Sequence, residues 1–218
     1  MVCSLVLVLL YPFYGKLLTA WVLPLIHPWG QKVADIINET MAWLYGALVL
    51  FVSLCWGRRS AADFGLGGIS PATIGIGIGA AIATLLLSNV SASAAYGLLH
   101  RASHADAQAA ALAHGLFVYA VVLAIRAGTV EELLYRGIAI EQFTTLTGMR
   151  WIGAVLAALL FILSHAFVFD WIQLVPIGVA TLVLTLLYLW RHDLWMNILA
   201  HVLVDAFGLL VLTMRSAG

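Results

Sequence analysis

Three groups of polar side chains stand in stretches that are otherwise apolar. They are Glu131-Glu132-Leu133-Leu134-Tyr135-Arg136-Gly137, then Phe161-Ile162-Leu163-Ser164-His165, then His201-Val202-Leu203-Val204-Asp205. Ionisable groups inside apolar helices are costly and default to function. Glu132 and Arg136 are four residues apart, so carboxylate and guanidinium can pair on one side of a helix. Glu131 is turned from Glu132 by about 100° and is free to point into the bundle. His201 and Asp205, also four apart, share a face. Three helices could therefore bring Glu131, His165 and the His201/Asp205 pair to one wet pocket.

Such a pocket holds two carboxylates and two imidazoles but offers no serine or cysteine nucleophile. Ser164 is expected to point off the face of His165, and Cys55 lies in a distant stretch. Water activated by a carboxylate is then the natural nucleophile, with a histidine orienting or deprotonating it. The remaining groups could stabilise an oxyanion. Two histidines with a carboxylate also make a zinc donor set with water in the fourth position. Both routes arrive at hydrolysis. The plain alternatives are an interhelical hydrogen bond for His165, a helix-end salt bridge for Glu132/Arg136 and a satisfied local pair for His201/Asp205. A proton-coupled transporter would use similar residues as a relay, but it would show internal repeats and interrupted helices, and no convincing repeat is present.

The elements that must carry these groups follow from composition. Of 218 residues, 64% are hydrophobic and 9% are charged, against roughly 25% charged in a soluble domain. Ten basic residues balance ten acidic ones, so no basic face is left over for nucleic acid. The chain is expected to be an integral, multi-pass membrane protein whose constant partner is the lipid bilayer. Cys3 and Cys55 both lie in apolar stretches and give neither a disulfide framework nor a thiolate metal site. The apolar start lacks a cationic leader, since Lys16 follows the run, and a cleaved signal peptide is not expected.

A bilayer core needs roughly 20 apolar helical residues. Stretches free of charge predict spans over 40–57, 73–99, 107–125 continuing to Arg136, 151–169, 171–190 and 194–214. The first 26 residues make a poorer span, broken at Pro12, Gly15 and Lys16. The expected fold is an all-α polytopic bundle of about seven transmembrane helices with the pocket inside it. Residues 1–112 are N-terminal spans and loops, and 113–214 form the core, in a single membrane domain. Arg58, Arg59, Arg150 and Arg191 gather on one side, against Lys32, Arg101 and Arg215 on the other, which weakly assigns the first side to the cytoplasm. Small residues at Gly75, Gly79 and Ala83 predict a close helix contact on their face. His27, His100, His104, His114 and His192 sit at interfaces or in loops.

Glu-Glu-x-x-x-Arg, then Phe-x-x-x-His, then His-x-x-x-Asp, each in its own apolar helix, resembles the signature of the CAAX protease and bacteriocin-processing family. These are also called CPBP or Abi proteins and include the Ras-converting CAAX endopeptidases. The resemblance covers about residues 113–210, and Arg58 to Leu66 resembles the loop that often precedes that core. It implies a glutamate-dependent intramembrane endopeptidase in which Glu131 and His165 activate water. It also implies supporting roles for Glu132 and Arg136, with Phe161 beside them, and an oxyanion role for His201 and Asp205. The best-known members carry Asn where this chain has Asp205, and an ionised carboxylate cannot donate a hydrogen bond. Asp205 must then be protonated, orient His201 or bind a metal. The resemblance favours a metal-free site; zinc, if present, would take His165, His201, Asp205 and Glu131. Some members are suspected of acting as immunity or scaffold proteins without turnover. The expected substrate is a membrane-embedded peptide or protein tail, and the expected location is a bacterial inner membrane.

Overall fold

Helices make up every regular element in the computed structural model, which describes residues 2–100 and 117–216. The long ones are α1 (Val2–Leu17), α2 (Gln31–Phe51), α3 (Pro71–Leu98) and α4 (Phe117–Glu131). After α4 the helix continues as a wide π-helical segment, Glu132–Ala139, and then as α5 (Ile140–Thr147). The chain ends with α6 (Arg150–His165), α7 (Leu174–Arg191) and α8 (Leu194–Ser216). Local signals explain the best-defined start. Ser70 and Thr73 each accept from the other's backbone N–H, and Pro71 fills the first helical position, where its missing N–H has no consequence.

The molecule is apolar outside and polar within, the arrangement a bilayer demands. Leu86, Val90, Leu182 and Leu186 are all more than half exposed, while Glu132, Arg136, Asn197 and Gln142 are buried. Around those polar groups, Val8 of α1, Val49 of α2, Leu134 and Ile138 of the π segment, Phe161 of α6 and Tyr188 of α7 share one core. The N-terminal helices are therefore packed on the site-bearing ones. α8 packs against both α3 and α4. Gly128 of α4 makes one of these contacts possible, since a Cβ there would meet Val202 Cγ2 at 2.5 Å and Val202 N at 2.8 Å.

Several expectations need correction. Among the described residues, four helices are long and apolar enough to span a membrane, or five if the N-terminal pair, bent by 41°, counts as one span. Seven spans are not confirmed. α6 is 16 residues long, below the length of a full crossing. The helix through Phe117 carries Arg126, Glu131, Glu132 and Arg136, and residues 107–116 of its expected span lie outside the described ones, as do Arg101, His104 and His114. Near the N-terminus, α1 continues through Pro12 and Gly15 to Leu17, because membrane helices can re-satisfy backbone groups freed by proline. α2 starts nine residues before the expected 40, so Glu39 is inside a helix and not at its edge. Added Cβ atoms at Gly75 and Gly79 would meet nothing, whereas Gly77 lies against Leu199 and the Met196 carbonyl at 3.1 Å. The close face of α3 is thus the neighbouring one, with Gly77, Ala81 and Thr84 buried.

Candidate active site

The site is built around the point where α4 gives way to the π segment. π-helical turns are rare and frequently occur at functional sites. All eight residues of this one are buried. Glu132, fully inaccessible, is its polar centre. Arg136 Nη1 donates to Glu132 Oε1 at 2.7 Å, and His201 Nδ1 lies 2.7 Å from the same oxygen. Asn197 Nδ2 donates to Glu132 Oε2 at 3.2 Å and to the Leu184 carbonyl at 2.7 Å. Arg136 Nη2 reaches the Thr181 carbonyl at 3.4 Å. A buried carboxylate is tolerable only when matched in this way by charge-assisted donors. A carboxylate can only accept, so His201 Nδ1 carries a proton. The other nitrogen, Nε2, stands 3.5 Å from Asp205 Oδ2.

Glu131 turns away from that cluster, as the offset between neighbouring helix positions predicts. Its Oε2 faces His165 Nε2 at 3.9 Å. The His165 ring is fixed from behind, with Nδ1 2.9 Å from the Phe161 carbonyl. A carbonyl accepts, so the proton is on Nδ1 and the Nε2 lone pair is directed at Glu131. Phe161 serves both halves of the site. Its ring lies 4.4 Å from the Arg136 guanidinium and 4.4 Å from the His165 ring, and it meets Tyr135 edge-on at 5.1 Å.

Ser164 is closer to His165 than expected, with Oγ 3.2 Å from Nδ1. The hydroxyl donates to the Phe161 carbonyl at 2.6 Å, curling back onto its own helix as serine often does. Its proton is therefore engaged away from the Nε2 side of the ring, where a base would be needed.

A cavity of about 90 Å³ opens beside these groups, lined by His165, His201, Asp205, Phe161, Thr84 and Thr181 among others. It has room for a few waters, each of which takes about 30 Å³ in the liquid. Glu131, Glu132 and Arg136 do not line it. The three sequence clusters thus meet, but in two linked parts: Glu131 with His165, and Glu132 with Arg136, His201 and Asp205. Among the described residues, no three His, Cys, Asp or Glu side chains converge on a point that could hold a metal ion. As placed, His201 has a carboxylate at each ring nitrogen.

Sequence reasoning missed three residues. Asn197 lies four positions before His201, on the same helical stripe, a spacing that could have drawn attention to it. Arg126 and Glu39 pair at 3.0 Å between Nε and Oε2, and Arg126 Nη1 lies 3.6 Å from Glu131 Oε1. Each looked like a lone charge at or near the edge of a span.

The geometry sits within a segment with known relatives. A family model described as Rce1-like, type II CAAX prenyl endopeptidase, matches residues 113–207. Residues 113–207 are thus similar to the Rce1-like domain of the CAAX proteases. The Rce1-like domain contains Glu131, Glu132, Arg136, Phe161, His165, His201 and Asp205, and it agrees with the resemblance carried by their spacing. No curated protein and no solved structure matches the chain.

Proposed function

We propose that this protein is a glutamate-dependent intramembrane endopeptidase that hydrolyses a peptide bond near the end of a membrane-associated peptide or protein tail. The observation that carries this reading is the 3.9 Å gap between Glu131 Oε2 and His165 Nε2. That distance is too long for a hydrogen bond and suits one water bonded to both atoms. Both atoms are acceptors, so a water between them points its two protons at them and a lone pair away. As that oxygen attacks the peptide carbonyl, the pair removes a proton, and a C–O bond forms. The carbonyl oxygen becomes an oxyanion on the cavity side, where His201, as an imidazolium with a carboxylate at each ring nitrogen, can donate from Nε2. The C–N bond then breaks as the leaving amine takes the water's proton back from the Glu131/His165 pair.

Glu132, Arg136 and Asn197 do not touch the reacting atoms in this scheme. They hold His201 in one orientation. The similarity of residues 113–207 to CAAX endopeptidases supports a peptide as the substrate, and the apolar exterior supports a substrate that arrives through the bilayer.

The test uses purified protein in lipid nanodiscs with two probe peptides, one carrying a prenylated CAAX tail and one an unlipidated apolar tail. Mass spectrometry is expected to show internal cleavage of at least one by the wild type and of neither by Glu131→Gln. Identical product patterns for the two proteins would remove the reading.

A further inference from the structure

A buried ion network lies behind Glu131, and the mechanism above does not use it. Glu39 of α2 is 6% exposed. It accepts from Arg126 Nε at 3.0 Å and Nη2 at 3.5 Å, with Tyr119 OH at 3.5 Å and Asn38 Nδ2 at 3.4 Å of Oε1. One edge of the guanidinium is therefore committed to Glu39. The remaining nitrogen, Nη1, faces Glu131 Oε1 at 3.6 Å. The carboxylate of Glu131 is divided between two neighbours, Oε1 toward Arg126 and Oε2 toward His165.

Arg126 and Glu131 are five residues apart, which is not a natural same-face spacing on an α-helix, where pairs form at three or four. The contact therefore needs an outside anchor. Glu39, on another helix, supplies it by fixing the plane of a rigid donor fork. A lone arginine would be costly here, and a lone Glu39 equally so; paired, and with Tyr11 also hydrogen-bonded to the guanidinium, they leave Nη1 facing Glu131. Glu39 also lies outside residues 113–207.

We propose that Arg126, clamped by Glu39, is a positioning residue for Glu131: it holds the Oε1 edge of that carboxylate so that Oε2 stays facing His165, making α2 part of the working site. This rests on Glu131 being the water-activating carboxylate. Arg126 itself touches no reacting atom.

Four variants separate this from a merely structural role. Arg126→Gln removes the cation and Arg126→Lys keeps one. Glu39→Leu removes the clamp, while Glu39→Gln keeps an acceptor for Nε. Activity is read as kcat per folded protein, on whichever probe peptide the wild type cleaves. Arg126→Gln and Glu39→Leu are expected to lower kcat on the order of 10²-fold, the scale of a catalytic group misplaced by about 1 Å, with KM little changed. Glu39→Gln is expected to recover most of it, Arg126→Lys, which keeps the charge but not the fork, only a small part, and the double variant Glu39→Leu/Arg126→Gln to be no worse than either single. A loss of thermal stability with kcat per folded protein unchanged would overturn the proposal.

Infrared spectroscopy gives a second readout that needs no substrate. The wild-type spectrum minus that of Glu131→Gln isolates the Glu131 carboxyl bands. Repeating the subtraction in an Arg126→Gln background is expected to shift the carboxylate stretch, or to replace it with the carbonyl band of the protonated acid. An unchanged band would show that Arg126 does not hold Glu131. If Glu131→Gln retains full cleavage, the proteolytic reading fails, yet the spectra still decide whether Arg126 positions that carboxylate.

Discussion

Glu132 Oε1 and His201 Nδ1 stand 2.7 Å apart although 69 residues separate them in the chain. The contact ties the first polar cluster to the third and makes α8 part of the same site as the π segment. Since the carboxylate also holds Arg136 and Asn197, its removal leaves three buried donors without their acceptor.

Replacing Glu132 by Leu is therefore expected to destabilise the fold by about 3 kcal/mol or more, the scale of breaking a buried charge pair from one side. Glu132→Gln keeps one acceptor oxygen and should lose less. Equilibrium unfolding in mixed detergent micelles measures both. A Glu132→Leu protein as stable as wild type would mean that the cluster is solvated and not a structural centre.

Asp205 provides the test for metal. If the site works without one, Asp205→Asn adds an amide donor beside His201, and turnover should be kept or raised while chelators have no effect. A zinc ligand at this position predicts the reverse. Stoichiometric zinc in purified protein, lost together with activity in Asp205→Asn, would contradict the metal-free mechanism.

Gly128 sets the approach of α4 to α8. Gly128→Val should force the helices apart, because even a Cβ would lie within 2.5 Å of Val202. Overpacking of this kind costs about 1–3 kcal/mol, and activity should fall further than stability because the Glu132–His201 contact crosses the same interface. Thermal unfolding and peptide cleavage, compared with Gly75→Val in open space on α3, measure the two effects. Equal activity in both variants would show that the α4–α8 spacing is not critical.

What could be read from the chain, and what could not, divides along sequence separation. Pairs four residues apart, Glu132 with Arg136 and His201 with Asp205, follow from helical geometry alone, and both are present. The opposite headings of Glu131 and Glu132 follow in the same way. Contacts between distant elements have no such periodicity. Glu39 finds Arg126 across 87 residues and Asn197 finds Glu132 across 65, so each looked like an isolated polar residue. Small residues in α3 indicated that some face was close-packed, but two such faces exist, and only packing against α8 selects the one with Gly77. The number of spans is not confirmed, because a charge-free stretch says nothing about whether its helix is long enough to cross, and α6, at 16 residues, is short for a crossing.

The central claim is that Glu131 activates water without holding the fold together. The most direct measurement is cleavage of the probe peptide by Glu131→Gln in nanodiscs, run beside a thermal unfolding curve of the same preparation. The amide preserves the shape and the contact to Arg126 through its oxygen, but it cannot accept a proton from water at neutral pH. Cleavage should fall by at least about 10²-fold, given the 10²–10⁴-fold usually contributed by a general base, with little change in the unfolding midpoint. Wild-type turnover in folded Glu131→Gln would contradict the account.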